Sequence, residues 1–153
     1  MRKQPPQGTE EYRVYKRALE FKYANTEHGF LKRLFQSIYT RAKYNTDRNK
    51  QWQPEIGKKE LEDIYNEQVK RDGKICFYCK TPLTFKRNER RKDLAKEKIK
   101  QIPTNVSADR YDPNETYKRG NIVFCCWECN RKKNTSYKQD WVNFLKGRKK
   151  IIK

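Results

Sequence analysis

Histidine is nearly missing from this chain: His28 is the only one in 153 residues. A lone imidazole at a helix break is ordinarily a surface or capping residue, so little is left for histidine-based proton transfer. Long hydrophobic runs are missing too. Nothing approaches the ~20 apolar residues of a membrane span, and no signal-peptide pattern follows Met1. Apolar residues make up 34% of the chain against 37% charged, so the buried core must be small. Much of that apolar content is aromatic (10 Tyr, 7 Phe, 3 Trp), which fills volume with few residues. Acidic residues are scarce, 19 against 38 basic, and the formal charge of +19 favours a polyanionic partner. An anionic membrane surface would satisfy charge alone, but no basic amphipathic helix with a clean apolar face is evident. Nucleic acid is the better reading, with no membrane and no small-molecule cofactor expected.

What the chain does have is five cysteines, four of them in pairs: Cys76-Phe77-Tyr78-Cys79 and Cys126-Trp127-Glu128-Cys129. A two-residue gap lets a tight turn aim two thiolates at one ion, and four sulfurs at ~2.3 Å complete a closed structural zinc shell. Paired in this way and without a secretory signal, they point to metal rather than disulfides and to a reducing, cytoplasmic setting. Cys125 is the odd thiol: Cys125/Cys129 has the wrong gap, so Cys125 is expected as a buried strand-end residue.

The chain divides into a basic tail (residues 1–9), a helical region (10–72), a zinc-bound core (73–147) with a charged insertion (84–103), and a basic end (148–153). Residues 10–48 read as two helices broken near Thr26-Glu27-His28-Gly29. In the second, Phe30, Leu31, Leu34, Phe35, Ile38 and Ala42 form an apolar stripe. Trp52–Ile56 is expected to be extended. Lys58–Arg71 is another amphipathic helix (Leu61, Ile64, Tyr65, Gln68, Val69), stopped by Asp72-Gly73. Residues 91–100 have helical character. Ser107–Tyr111 and Asn121–Phe124 read as strands around a turn-rich loop, followed by a helix from Trp127 to about Asn134. Ser136 can cap a last helix carrying Trp141, Phe144 and Leu145.

Strand, long turn, strand and helix, with a knuckle at the helix start, outline a ββα-metal nuclease. The run Ser107-Ala108-Asp109-Arg110-Tyr111-Asp112-Pro113, then Gly120-Asn121-Ile122-Val123 and Cys126-Trp127-Glu128-Cys129-Asn130-Arg131, resembles the HNH endonuclease family. Within it, the likeness is to zinc-containing phage-type members whose motif begins Asp-Arg, a DR-N-N variant. The fold this implies is α+β: a small ββα-metal core stapled by a four-cysteine zinc site, with additional N- and C-terminal helices. The implied activity is metal-dependent hydrolysis of phosphodiester bonds in duplex DNA by a one-metal mechanism.

By that resemblance Asp109 and Asn130 are ligands of a catalytic divalent ion. A carboxylate and an amide oxygen suit Mg²⁺ or Mn²⁺ better than zinc. The plainer alternatives are an aspartate and an asparagine capping turns. Asn121 matches the motif residue that holds the long loop, which is close to its bland reading as a hairpin asparagine. Arg110 stands where the family usually has histidine. Arginine stays protonated, so it cannot be the general base, but it can grip a phosphate bidentately. Some rare-cutting restriction enzymes of this superfamily that also carry Asp-Arg use a knuckle tyrosine. Tyr78 is in the matching place, the alternative being that it packs over the knuckle. Expected phosphate contacts are Arg41, Lys43, Lys118, Arg119, Arg131, Lys132 and Lys133. Double-strand cutting by such a fold requires a homodimer or two successive nicks. A non-catalytic nucleic-acid-binding protein on this scaffold, or a junction-resolving or RNA-cleaving relative, is the competing expectation.

Overall fold

The computed structural model describes residues 4–44, 53–87, 101–133, 140, 141 and 143, with side chains beyond residue 40 of the second helix excepted. The 91–100 helix, Ser136, Phe144 and Leu145 lie outside the described residues. So do Trp52 and the side chains of Arg41, Ala42 and Lys43.

Helix α1 (Glu10–Ala24) begins where the Thr9 hydroxyl accepts the Tyr12 N–H at 3.1 Å, with Glu10 and Glu11 in its first turn. Both features favour a helix N-terminus. The Thr26 hydroxyl then donates to Tyr23 O at 2.7 Å and accepts the Gly29 N–H at 3.1 Å, so one side chain closes α1 and opens α2 (Glu27–Tyr44). The break falls at Asn25–Thr26. His28 and Gly29, expected within the interruption, belong to the first turn of α2. A Cβ at Gly29 would sit 2.0 Å from Tyr23 O, so this tight corner needs glycine.

Helix α2 buries Leu31, Phe35 and Ile38, and Phe30 and Leu34 pack at the edge. Helix α3 (Lys58–Asp72) buries Leu61, Ile64, Tyr65 and Gln68, one stripe of a 3.6-residue repeat. It stops at Gly73, whose φ of +83° is the left-handed conformation that glycine adopts cheaply. The 53–57 segment forms no strand, contrary to the extended piece expected there. It bends, and the Gln53 and Glu55 backbones clip the loop at Thr116 (2.5 Å) and Tyr117 (3.0 Å).

Strands β1 (Val106–Arg110) and β2 (Ile122–Cys126) pair antiparallel, with Asp109 opposite Val123 and Val106 opposite Cys126. The hairpin starts one residue earlier than the sequence pattern suggests, and its second strand runs two residues further, into the second cysteine pair. Every residue of β2 is buried. Side chains alternate along a strand. On one face Phe124 meets Tyr65 at 5.1 Å and Phe35 at 6.0 Å between ring centroids, both edge-on. Such pairs add about 0.5–1.5 kcal/mol each to the area they bury. Gln68 of α3 locks the edge of the same strand, donating to Phe124 O and accepting the Phe124 N–H, each at 2.8 Å. On the other face lies helix α4 (Trp127–Lys133), which follows β2 without a loop. The charged insertion is closed at its base by Asn105, which is buried. Its side chain bonds both the N–H (3.1 Å) and the carbonyl (2.7 Å) of Lys86. None of the described helices is long and apolar enough to cross a membrane.

Candidate active site and metal centre

The first knuckle is a turn in which the Cys76 N–H donates to Thr81 O (2.8 Å) and the Lys80 N–H donates to Cys76 O (3.0 Å). Lys80 takes the left-handed φ of +64° that the turn demands. The Phe77 N–H reaches Phe124 O at 3.1 Å, so the knuckle is docked on β2. The second pair straddles the end of β2 and the start of α4. The sulfurs of Cys76, Cys79, Cys126 and Cys129 lie within 4.8 Å of one another. A tetrahedral ion with ~2.3 Å bonds to sulfur needs edges of ~3.8 Å, and Cys79 and Cys126 are 3.8 Å apart. Backbone N–H groups already point at sulfur: Cys126 N at 3.2 Å from Cys76 Sγ and Cys129 N at 3.4 Å from Cys126 Sγ. The Cys126 and Cys129 side chains, and then the backbone N–H groups of Cys126 and Cys79, lower the Cys76 pKa against its burial, favouring thiolate at that residue. Four cysteines are thus positioned to hold a metal ion. Cys125 is fully buried on β2 opposite Ser107, and burial pushes its thiol pKa up.

Asp109 sits on β1 on the face covered by α4, buried to 6% exposure. Its Oδ2 accepts the Tyr78 hydroxyl at 2.5 Å and pairs with Lys133 Nζ at 3.0 Å. Burial raises the pKa of this carboxylic acid, while Tyr78, Lys133 and Arg110 pull it back. Burial and the neighbouring carboxylate drive Tyr78 up, so the phenol holds its proton. On α4, Asn130 and Lys133 are one turn apart and both face β1. Asn130 Nδ2 donates to Ser107 Oγ (2.7 Å) and Ala108 O (3.2 Å), which fixes the amide against the strand beside Asp109. Both bonds run through Nδ2, so Oδ1 is the atom on offer as a ligand. A carboxylate and an amide oxygen are the donor types a hard divalent ion takes.

Asn121, buried, spans the hairpin loop: its Oδ1 accepts the Asp112 N–H at 2.6 Å, and Nδ2 donates to Asp112 O (3.1 Å) and Thr116 O (2.9 Å). Arg110 leaves the strand end toward that loop, its guanidinium 5.7 Å from the Tyr117 ring centroid and 3.4 Å from Glu115 O. Burial lowers its pKa, with Tyr117, Asp109 and Asp112 opposing. His28 is exposed on α2, its ring edge-on to Tyr23 at 6.1 Å.

The expected phosphate contacts separate. Lys118, Arg119, Arg131 and Lys132 reach the surface, each with a local partner. Lys118 pairs with Glu115 and Lys132 with Glu128. Arg119 pins the loop to Glu60 and Glu67 of α3, and Arg131 lies 5.2 Å from the Trp127 ring centroid. Lys133 does not reach the surface. It is fully buried (0% exposed), its Nζ donating to Arg110 O at 2.8 Å and pairing with Asp109. Its place as a surface phosphate contact is corrected for that reason: the ammonium points inward, toward the carboxylate. Sequence reasoning missed this partner. The three-residue spacing places it on the helix face of Asn130, but nothing local marks it as buried.

The hairpin carries a helix running straight out of it, with the Asp109 carboxylate between them. The fold is similar to an HNH restriction endonuclease. The structure aligns with the rare-cutting HNH enzyme PacI, an enzyme that perturbs DNA, at a TM-score of 0.54 and 16% identity, over 79% of this chain and 78% of that one. At that identity the likeness is one of fold. The sequence matches no family model and no curated protein.

Proposed function

We propose that the protein is a metal-dependent HNH-type endonuclease that hydrolyses phosphodiester bonds in duplex DNA, with a structural zinc on the four cysteines and Mg²⁺ or Mn²⁺ at Asp109 and Asn130. The observation that carries this reading is the buried Asp109 carboxylate held between the first knuckle, through Tyr78, and the helix that bears Asn130. Bound at these two residues, a hard ion would act as a Lewis acid toward the phosphate, and its charge would offset the carboxylate that keeps Tyr78 protonated. Arg110, a permanent cation on the loop side of β1, binds the phosphate and stabilises the charge that develops on it. Tyr78 is the candidate to accept the proton of the attacking water once its own proton has passed to solvent under the ion's charge: it lies inside the cluster, whereas His28 is on the surface. Asn121 holds the loop that carries the phosphate contacts Lys118 and Arg119. Arg131 and Lys132, with Arg41 and Lys43, add phosphate contacts of the sequence-independent kind.

A second reading has its own support. Lys133 already neutralises Asp109, as it would in a protein that binds nucleic acid without cutting it. Plasmid relaxation by purified, zinc-loaded protein in Mg²⁺ or Mn²⁺ separates the two. Nicking is expected, reduced by about 10²-fold or more in Asp109→Asn and in Asn130→Ala. No cleavage in either ion, or cleavage indifferent to both substitutions, sinks the nuclease reading. Linear, branched and RNA substrates compared at fixed salt assign the substrate.

A further inference from the structure

Lysine is almost never fully buried unless it is paired, because burial strips the ammonium of water. Lys133 is fully buried, and its ammonium meets two groups of β1: the Asp109 carboxylate at 3.0 Å and the Arg110 carbonyl at 2.8 Å. It shares Asp109 Oδ2 with the Tyr78 hydroxyl at 2.5 Å. The side chain therefore sits where a divalent ion would meet that oxygen. It does so from the same helix face, one turn on from Asn130. Charge completes the point. Asp109 and Lys133 sum to zero, so an ion entering beside them leaves the buried cluster at +2. An arriving phosphate, a departing Lys133 or loss of the Tyr78 proton lowers that.

We infer that Lys133 is a positioning residue that acts through Asp109: a tethered cation that holds the carboxylate in the ion-free protein and keeps ion affinity low until nucleic-acid phosphate is present. This rests on the ion site proposed at Asp109 and Asn130 and adds a coupling between ion and substrate. Phosphate bound beside the cluster offsets the excess charge or draws the ammonium away, and ion affinity rises. By reciprocity, the ion raises DNA affinity by the same factor.

The test is Mn²⁺ binding to zinc-loaded protein, read by electron paramagnetic resonance with and without duplex DNA. In Lys133→Met, Mn²⁺ affinity without DNA is expected to rise at least about tenfold, since a like charge a few ångströms away is gone. The gain on adding DNA shrinks to match. Lys133→Gln, which keeps a donor for the Arg110 carbonyl, gives the same result if Lys133→Met does not fold. As a second readout, thermal unfolding of either variant is lowered without Mn²⁺ and recovered by it more than in the unsubstituted protein. Asp109→Asn added to Lys133→Met removes the extra binding. Equal Mn²⁺ affinity in variant and parent, with DNA cleavage intact, overturns the role of Lys133 alone. Absence of Mn²⁺ binding in every protein, DNA present, overturns the ion site and this inference together.

Discussion

Around the cysteine cluster, four sulfurs come from one knuckle turn and from the junction of β2 with α4, and lie within 4.8 Å of one another. Around Asp109, the partners come from a knuckle, a strand and a helix, and they are already bonded to one another. The first centre gathers four sulfurs at the spacing a tetrahedral cation takes. The second carries its own cation. Both stand on one hairpin, since Cys126 ends β2 and Asp109 lies on β1. The difference separates roles: one centre has the donor set and spacing of a metal site, while the other carries a cation of its own. That suits the roles proposed above, a clamp for the fold beside a site for a second ion.

The largest expected effect breaks the first centre. Stripping metal with a strong chelator, or Cys129→Ser, should abolish the cooperative melt seen by circular dichroism, because metal binding to such sites is folding free energy of about 10 kcal/mol or more. An unchanged melt after metal loss would show that the cysteines are dispensable. Weaker chelation that removes only Mg²⁺ should leave the melt in place, which is the sharpest form of the comparison.

Next in size is Tyr78→Phe. The ring still fills its place between the two centres but loses the hydroxyl on Asp109. Cleavage should fall by about 10²–10⁴-fold if the phenol accepts the proton, with zinc content unchanged. A rate close to that of the unsubstituted protein would leave Tyr78 as a partner of Asp109 only.

Gln68→Ala strikes the sheet that both centres share. It takes the Gln68 partner from the buried Phe124 N–H, while the Phe124 carbonyl keeps the Phe77 N–H, and should cost about 1–3 kcal/mol in urea unfolding. A loss well under that would mean the backbone finds water there. Arg119→Ala is the smallest change. Its ion pairs with Glu60 and Glu67 are exposed, so stability should not move measurably. The salt dependence of DNA binding should weaken by about 0.9 in log–log slope, the share of one phosphate contact. An unchanged slope would confine Arg119 to pinning the loop.

Much of this was legible in the residues. The two-residue cysteine gaps are local geometry, so they announced the thiolate cluster. Leu61, Ile64, Tyr65 and Gln68 announced the buried face of α3 by their spacing. Gln68 also hinted at more, since a polar residue in an apolar stripe needs a buried partner. The β2 boundary was less readable because its last residue, Cys126, belongs at once to a strand and a knuckle. Lys133 was unreadable as a buried group: in a chain with 38 basic residues, nothing local separates it from the solvated lysine before it.

The sequence by itself determined the hairpin, the helix after it, the thiolate quartet and the pull toward polyanions, because each follows from spacing within a few residues or from net charge. Only the tertiary structure decided what surrounds Asp109. The pleat of β1 turns the carboxylate under α4, and the helix repeat brings Asn130 and Lys133 down on the same side. The docked knuckle then delivers Tyr78 to the same oxygen. Those contacts join residues 78, 109 and 133, and burial makes the charge among them matter, a dependence on environment that no stretch of residues carries alone.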